Sequence, residues 1–408
     1  MMIVRRNKAV SMELVKSILN YIFYPSQWKN DYIALFETET AKYLGVKYAV
    51  MVSSGRKGLE LIIRYYNFPK GSRIIMPALT LRDLPIMVQQ MGYLPEFVDV
   101  DIDTCNMDPG QLEKKINDKT TLIVATHLFG IPCQVDKILE VAKTRNIKVI
   151  EDCAHSLGAT YKGKKVGTFA EASFFSLEMT KPLNTFGGGI IATNDKSLYE
   201  FIKQETAKYP YSRGKLFSKV FNSLLEDIVI HSPLYSLLGY LFYFDSTKKL
   251  ISNAYRGMHK QLRIADSKYS NFQAYLGCKA LREINEKNAR LLSKGNKFRS
   301  YTSKNITFPI ANYEHTLAYH FNLVKTDVDS KRVRKKLLER GVDAGIDDEI
   351  SNNCPRCFGA TDNFPNVDIL WKTLVQLPMS YTLSDKCIEI IAKKLNQVVS
   401  KIKTSYKR

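Results

Sequence analysis

Strands and helices alternate along residues 45–195, and this alternation constrains the fold more than any other feature of the sequence. Apolar residues at helical spacing predict helices over Gly58–Tyr66 and Asp136–Thr144. Short apolar segments predict the strands Tyr48–Val52, Arg73–Met76, Glu96–Val100, Leu122–Thr126, Lys148–Asp152, Ser173–Leu177 and Gly189–Thr193. This pattern is typical of an α/β fold with a mainly parallel, covered sheet. Ligands of such sheets bind beyond the carboxyl ends of the strands, so residues that close a strand are the first site candidates.

The length of the chain predicts more than one domain, because 408 residues are more than a single hydrophobic core usually accommodates. After about residue 275 the pattern changes to long helices, predicted at Ala280–Phe298 and Asp385–Ile402, and a few strands. We therefore predict a large domain over 1–205, an apolar helical insertion over 206–260, and a smaller α+β domain over 261–408.

Residues 228–244 form an apolar segment without Asp, Glu, Lys or Arg, and basic residues lie on either side of it. As a straight helix it would reach roughly 25 Å, short of the roughly 30 Å hydrocarbon core of a bilayer. Pro233 and Gly239 would also interrupt it. A membrane span is therefore not expected. A buried helical pair or dimer contact and a peripheral membrane contact both stay open.

Cysteine usage and the first residues predict a cytoplasmic protein. The opening residues lack the apolar core of a secretory signal, and the seven cysteines are scattered and odd in number, which favours reduced thiols over a disulfide framework. The CPRC motif at 354–357 has no second cysteine pair at zinc-ribbon spacing, so we interpret it as incidental and predict no metal site.

The formal net charge of +20 needs an explanation. Basic runs occur at 331–336 and 401–408, but aromatic residues of a nucleic-acid-binding module do not interleave with them, so no nucleic-acid partner is predicted. Solvated helix faces are one interpretation. Attraction of anionic substrates or of an anionic membrane surface is the other.

Asp152 closes a predicted apolar strand in the segment KVIEDCAHSLG, residues 148–158. A carboxylate there is costly unless it meets a cationic or protonated partner. A pyridinium nitrogen is such a partner, and an Asp beside it keeps the ring protonated and able to accept electrons. The alternative is that Asp152 caps a following helix.

Lys181 lies in the segment SFFSLEMTKPLNTFGGG, residues 173–189, soon after another predicted strand. A lysine in such a loop can form an imine with an aldehyde, and burial lowers its pKa towards useful proton transfer. Ser176 at the strand end can donate a hydrogen bond to a phosphate. Gly187–Gly189 allow backbone to lie beside a cofactor. The alternative for a lone lysine is solvated surface.

The segment VSSGRKGL, residues 52–59, is a predicted strand-to-helix turn. Small residues there leave backbone N–H groups pointing outward at a helix N-terminus, which suits a phosphate. Ser54, Gly55 and Arg56 are the candidates. The P-loop spacing is absent, so a nucleotide-triphosphate site of that kind is not predicted.

Together these segments resemble the DegT/DnrJ/EryC1/StrS sugar aminotransferases, a branch of the fold-type-I pyridoxal-phosphate enzymes. The resemblance covers nearly the whole chain and is specific in the order and spacing of its blocks. They are FETETAKYLGVKYAVMVSSGRKGLELI, FVDVDIDTCNMDPGQLEKKI, HLFGIPCQVDKILEVA, IEDCAHSLGATYKGKKVGTF, the lysine segment, and FPNVDILWKTLVQLPMSYTLS.

The resemblance assigns a role to each candidate. It implies that Lys181 forms the imine with pyridoxal phosphate and shuttles the proton between substrate and cofactor. Asp152 would pair with the pyridine nitrogen, and His155 would lie near the phenolic oxygen. The phosphate would be held by Ser176 and by backbone amides of Gly55 and Arg56. His127 is expected to shape the end of a strand without a catalytic role.

The resemblance also implies an activity: transfer of an amino group, typically from glutamate, to a keto sugar, usually nucleotide-linked, in polysaccharide or glycoconjugate biosynthesis. A homodimer is implied because the family builds its sites at a subunit interface. Two alternatives stay open. One is a pyridoxal-phosphate-dependent sugar dehydratase, in which a histidine usually replaces Lys181. The other is a non-catalytic regulatory or membrane-recruiting protein on the same scaffold.

Three features depart from the family pattern. The segment PALTL places Leu81 where an aromatic residue usually stacks on the cofactor ring. Glu178 stands where an aromatic or small residue is more common. The block by which a neighbouring subunit reaches the phosphate is not recognisable, and Arg263 is the one candidate for that contact.

Overall fold

The computed structural model describes residues 2–5, 12–24, 31–181, 183–211, 213–230, 266–310, 314–318, 322–345 and 352–406. The helices are α1 (Met12–Phe23), α2 (Tyr32–Leu44), α3 (Gly55–Tyr66), α4 (Asp83–Gln90), α5 (Pro109–Lys115), α6 (Val135–Thr144), α7 (Lys196–Ala207), α8 (Arg213–Ile230), α9 (Asn271–Ser300), α10 (Ser330–Leu338), α11 (Cys354–Cys357), α12 (Pro365–Thr373) and α13 (Asp385–Tyr406). The strands are β1 (Tyr48–Val52), β2 (Arg73–Pro77), β3 (Leu79–Thr80), β4 (Leu94–Val98), β5 (Thr120–Thr126), β6 (Lys148–Asp152), β7 (Thr160–Tyr161), β8 (Lys164–Lys165), β9 (Ala172–Ser176), β10 (Gly189–Thr193), β11 (Ile306–Thr307), β12 (His315–Thr316), β13 (Asn322–Thr326), β14 (Asn352–Asn353) and β15 (Leu374–Leu377).

A seven-stranded sheet in the order β1-β10-β9-β6-β5-β2-β4 forms the centre of the large domain. The pairs from β9 to β4 are parallel, and β10 runs antiparallel to both of its neighbours. The predicted α/β fold with a mainly parallel sheet is therefore confirmed. The parallel strands end at one edge of the sheet, where Asp152 closes β6 and Ser176 closes β9.

Successive side chains of the central strands point into two different cores, because strand side chains alternate between faces. Phe175 and Ile190 lie in the core covered by α2, α6 and the first half of α9. Phe174 and Ile191 lie in the core under α3, α4 and α7. Both faces of the sheet are thus covered, which explains why the strands are almost continuously apolar.

Strand β4 occupies Leu94–Val98, two residues before the predicted Glu96–Val100. The reason is Asp99, whose carboxylate accepts the N–H groups of Asn366 and Val367 at the start of α12. This tertiary contact removes Asp99 from the sheet. The periodicity of the sequence cannot reveal this contact.

The C-terminal part of the chain contains a small antiparallel sheet in the order β11-β13-β15, covered by α10 and α13 around a core of its own. This arrangement confirms a smaller α+β domain. Helix α9 serves both cores, since Leu281 lies in the large-domain core and Phe298 in the small one. The division at 205, 260 and 261 stays a prediction.

Helix α8 lies within the predicted insertion over 206–260. Residues 231–265 lie outside the described part of the chain, so the structure describes only the first residues of the apolar segment 228–244 and nothing of Arg263. Among the described residues, no helix is long and apolar enough to span a membrane.

Candidate active site

A cavity lies where the carboxyl ends of β6 and β9 meet the N-terminus of α3. Its lining includes all six residues to which the resemblance assigns a role, and also the further candidate Ser54: Ser54, Gly55, Arg56, Asp152, His155, Ser176 and Lys181. These residues belong to three segments that are far apart in the chain. The order of strands in the sheet brings those segments together at one edge.

Asp152 is buried at the end of β6, and its Oδ1 accepts the N–H of Ala154 over 3.0 Å. A turn rather than a helix follows, so Asp152 does not cap a helix. Burial raises the pKa of Asp152 to about 6, although the hydrogen bond from the Ala154 N–H and the charge of Lys181 act in the opposite direction. The carboxylate therefore lacks sufficient positive charge nearby, and a protonated ring nitrogen in the cavity would stabilise it.

Lys181 lies on the loop between β9 and β10 and lines the same cavity. Burial lowers the pKa of Lys181 to about 8, although the carboxylates of Asp152 and Glu178 oppose this shift. A lysine with this pKa supplies a useful fraction of neutral amine near neutral pH, as a nucleophile or a proton carrier requires.

Helix α3 begins at Gly55, three residues before the predicted start, because Ser54 caps it by accepting the N–H of Lys57 over 3.1 Å. The Ser54 hydroxyl is therefore engaged in the cap. A Cβ on Gly55 would lie 3.2 Å from the carbonyl oxygen of Phe175, so the missing side chain lets α3 approach Ser176 closely. The first N–H groups of α3 have no acceptor within the helix and lie beside the cavity.

The side chain of Arg56 is paired with Asp83 at the start of α4, with 2.5 Å between Nη1 and Oδ2. Both residues line the cavity. The ion pair connects α3 to α4 and leaves the backbone N–H as the group that Arg56 offers to an anion. Asp83 was not among the sequence candidates, because nothing in its local pattern shows which cation it meets.

His155 is buried in the cavity wall, and its orientation is set by Phe129. The Nδ1 atom accepts the N–H of Phe129 over 3.3 Å, and the two rings lie nearly parallel, with 6.2 Å between their centroids and 13° between their planes. Phe129 has a φ of 58°, which is uncommon for a residue other than glycine. The His155 ring is therefore held before any ligand arrives.

His127 and Glu151 form a buried hydrogen-bonded pair behind Asp152. The Nδ1 atom of His127 accepts the N–H of Cys133 over 3.0 Å, so its proton is on Nε2, which donates to Glu151 over 3.1 Å. Cys153 lies near enough that the three side chains resemble a metal-ligand set. Both nitrogens of His127 are already engaged, and we interpret the group as a hydrogen-bonded support of the strand end.

The glycines after Lys181 have protein groups as their close neighbours. Gly188 has a φ of 105°, and a Cβ there would lie 2.3 Å from the ring of Tyr269. A Cβ on Gly189 would lie 2.6 Å from the backbone nitrogen of Gly55. The glycines therefore let the lysine loop pack against α3 and Tyr269, and none of them is among the described residues that line the cavity.

Two residues at the start of α9 hold this loop, and sequence reasoning did not select either. Tyr269 donates its hydroxyl proton to Thr185 over 2.8 Å. Gln273 donates from Nε2 to the carbonyl groups of Thr185 and Gly187 over 3.1 Å and 3.0 Å. Gln273 also belongs to the capping box of α9 with Ser270. That capping pattern was the available sequence signal for the helix start, but it did not indicate the contact with the loop.

Leu81 lines the cavity directly after β3, at the place where the family pattern leads one to expect an aromatic ring. Strand β3 pairs with β14 of the C-terminal region. Cys354 of the CPRC motif is buried and donates its thiol proton to the carbonyl of Thr80, whereas Cys357 is exposed. The motif thus helps to place the segment that carries Leu81.

Comparison with known proteins gives a consistent result. The sequence model of the DegT/DnrJ/EryC1/StrS aminotransferase family matches residues 14–226, just over half of the chain. GDP-perosamine synthase of Escherichia coli O157:H7 is 42% identical over 172 residues, which is 42% of this chain and 47% of that protein. A dTDP-3-amino-3,6-dideoxy-alpha-D-galactopyranose transaminase of Aneurinibacillus thermoaerophilus is 38% identical over 194 residues, 47% of this chain and 53% of that protein.

The sequence matches span about half the length of these two relatives. Structural similarity extends further along the chain. The structure of PseC from Helicobacter pylori, an aminotransferase involved in the biosynthesis of pseudoaminic acid, superimposes with a TM-score of 0.77 at 20% identity. The match covers 98% of this chain and 100% of that protein. At this identity the likeness establishes the fold.

Proposed function

Because the chain belongs to the DegT/DnrJ/EryC1/StrS aminotransferase family, we propose that it is a pyridoxal-phosphate-dependent aminotransferase. Its proposed reaction moves an amino group from a donor such as glutamate to a keto sugar, nucleotide-linked, in polysaccharide or glycoconjugate biosynthesis. The observation that carries this proposal is the meeting of Asp152, Ser176 and Lys181 in one cavity beside the N-terminus of α3.

The residues of the cavity fit pyridoxal phosphate. Asp152 is a buried carboxylate with a raised pKa, and a protonated pyridine nitrogen beside it would stabilise its ionised form. Across the cavity, the backbone N–H groups of Gly55 and Arg56 and the hydroxyl of Ser176 would hold the phosphate. When bound, the cofactor supplies a conjugated ring that accepts electrons from the substrate carbon.

Lys181 would bind the cofactor through Nζ and move the proton at that atom. With a pKa of about 8, Lys181 populates both the neutral and the protonated amine near neutral pH. His155, fixed by Phe129, would face the ring oxygen that the resemblance assigns to it. The Arg56–Asp83 ion pair would hold α3 in place while the phosphate is bound.

Charge supports the proposed substrate class. A chain with a net charge of +20 attracts anions, and the phosphates of a nucleotide-linked sugar are anionic. The proposal includes a homodimer and a cytoplasmic location, as the family resemblance implies.

The alternatives make different demands on the site. A sugar dehydratase of this branch would need a residue other than lysine at position 181. A non-catalytic scaffold would need neither a lysine with a lowered pKa nor a buried carboxylate that lacks a cationic partner in the same cavity. The geometry therefore favours the aminotransferase.

The test is the absorption spectrum of the purified protein with pyridoxal phosphate, before and after glutamate is added. We expect a visible band that disappears with glutamate. Lys181→Ala should lose the band and the activity, whereas Lys196→Ala, a matched change at an exposed lysine of α7, should retain both. No band in the wild type would favour the non-catalytic scaffold, and full transamination by Lys181→Ala would contradict the assignment.

A further inference from the structure

Thr126 closes β5 in the wall of the candidate active site. It lines the cavity together with Asp152 and Ser176, which close β6 and β9. Thr126 is only 4% exposed, and its Oγ1 atom has no hydrogen-bond partner among the described residues. The site thus contains a buried hydroxyl that its other described residues do not satisfy.

The shape of the Thr126 side chain does not explain why this position holds a threonine. A buried hydroxyl without a partner has lost its hydrogen bonds to water and gained none in return. Valine has the same branched shape and would fill the same place without that loss. Because proteins satisfy nearly all of their buried polar groups, an unsatisfied one in a binding cavity indicates a partner in another state of the site.

The register of the sheet identifies the neighbour of this hydroxyl. Thr126 is paired with Asp152 in the parallel ladder of β5 and β6. Val124 and Ile150, two residues earlier on each strand, lie in the core under α3, α4 and α7. Because strand side chains alternate between faces, Thr126 and Asp152 both lie on the face that carries α3. The two side chains are therefore neighbours beside the cavity.

A hydrogen bond can join these two side chains. Neighbouring strands lie about 4.8 Å apart, a gap that a threonine hydroxyl and an aspartate carboxylate can bridge. Rotation about the Cα–Cβ bond of Thr126 moves Oγ1 between staggered positions. The Asp152 carboxylate offers about four lone pairs, and the N–H of Ala154 occupies one of them over 3.0 Å. Asp152 therefore has capacity for a second donor.

We propose that Thr126 is a positioning residue for Asp152. Its hydroxyl donates to the ionised carboxylate, as a second donor beside the Ala154 N–H, and turns that carboxylate towards the ring nitrogen of the bound cofactor. An ionised carboxylate is a stronger acceptor than a neutral carboxyl group, so the hydrogen bond develops as Asp152 loses its proton. The hydrogen bond depends only on residues of this chain, whereas its effect on the cofactor rests on the proposed function.

Urea unfolding of the full-length, cofactor-free protein tests the hydrogen bond. Thr126→Val removes the hydroxyl and keeps the shape, whereas Thr126→Ser keeps the hydroxyl. The pKa of Asp152 is about 6, so its carboxyl group is neutral at pH 4 and mostly ionised at pH 7. The urea midpoint of Thr126→Val should equal or exceed that of wild type at pH 4 and fall below it at pH 7. Thr126→Ser should differ from wild type by the same amount at both pH values.

Other titratable groups near Asp152 are controlled by removing the acceptor. Lys181 and His127 act on the Asp152 carboxylate electrostatically. The remaining charged or titratable groups around the cavity and the strand end are Arg56, Asp83, Glu151, Cys153, His155 and Glu178. Asp152→Ala leaves all of them in place. In that background, Thr126→Val should shift the midpoint equally at pH 4 and pH 7.

Two outcomes of the urea comparison would overturn the proposal. One is a Thr126→Val variant whose difference from wild type is the same at both pH values, as expected of a hydroxyl that only fills space or binds water. The other is a pH-dependent difference that persists in the Asp152→Ala background.

The affinity for pyridoxal phosphate tests the consequence for the cofactor. In a titration followed by the visible band, Thr126→Val should raise the dissociation constant by about fivefold, and Thr126→Ser should stay within about twofold of wild type. Unchanged affinity in Thr126→Val would overturn the positioning role. If wild type forms no visible band, the proposed function fails, while the urea comparison still decides whether Thr126 donates to Asp152.

Discussion

His127 donates a hydrogen bond from Nε2 to Glu151 over 3.1 Å, behind the strand end that carries Asp152. Glu151 also accepts the N–H groups of Gly167, Phe169 and Ala170. A buried carboxylate with four donors is well satisfied, and it joins the loop after β8 to β6. The pair supports the position of Asp152 from the opposite face of the strand.

Glu151→Gln should destabilise the protein by about 3 kcal/mol, because the amide group would turn N–H donors towards backbone N–H groups in a buried place. Urea unfolding followed by circular dichroism measures the loss. Glu140→Gln, at an exposed position of α6, is the control and should change stability little. Equal midpoints for the two variants would show that Glu151 does not support the fold.

Asp152→Asn should make the cofactor-free protein more stable above pH 6. The folded pKa of about 6 exceeds the ordinary 3.8, so ionisation costs stability, and this cost develops as the pH rises from about 4 to 6. The variant should match wild type near pH 4 and exceed it by about 2–3 kcal/mol at pH 7. Urea unfolding at a series of pH values measures the difference.

The same variant should behave oppositely once pyridoxal phosphate is bound. Asn cannot hold the ring nitrogen in its protonated form as a carboxylate does, so the rate of transamination should fall by roughly two to three orders of magnitude. The order of stability should also reverse in the presence of cofactor. A variant with normal activity would exclude Asp152 as the partner of the ring nitrogen.

Gly189→Ala should impair cofactor binding. Its Cβ would lie 2.6 Å from the backbone of both Ser54 and Gly55, so the lysine loop or the start of α3 must move. The visible band titrated with pyridoxal phosphate should show at least about tenfold weaker binding. Gly110→Ala is the control, since its Cβ would meet only the Asp108 side chain at 3.2 Å. Unchanged affinity for Gly189→Ala would mean that the close approach is easily relieved.

Leu81→Phe should strengthen cofactor retention. Leu81 lines the cavity where a ring would stack, and an aromatic contact adds about 0.5–1.5 kcal/mol beyond aliphatic packing. The dissociation constant should therefore fall by roughly two- to tenfold. Equilibrium dialysis at a series of pyridoxal-phosphate concentrations, with the visible band as the readout, measures this dissociation constant. A larger dissociation constant would show that Leu81 leaves no room for the ring.

Local patterns in the sequence were sufficient for the strands of the central sheet and for part of the candidate site. The spacing of apolar residues gave most strands of the central sheet to within one or two residues, because burial on both faces leaves few alternatives for a short apolar segment. Asp152, Ser176 and Lys181 were identifiable because each closes or follows a strand. The residues after β1 predicted a strand-to-helix turn, although α3 begins at Gly55, three residues before the predicted Gly58.

Only the tertiary structure decided which groups meet. The partners of Arg56, Glu151 and the lysine loop are distant in the chain, and pairwise contacts of this kind leave no periodic trace in a sequence. The raised pKa of Asp152 and the lowered pKa of Lys181 follow from burial, which depends on the packing of the whole sheet. The sequence by itself determined the elements and the chemistry available, because these depend on neighbouring residues. Packing determined the geometry, the charge state and the neighbours of each buried polar group, because these depend on the whole chain.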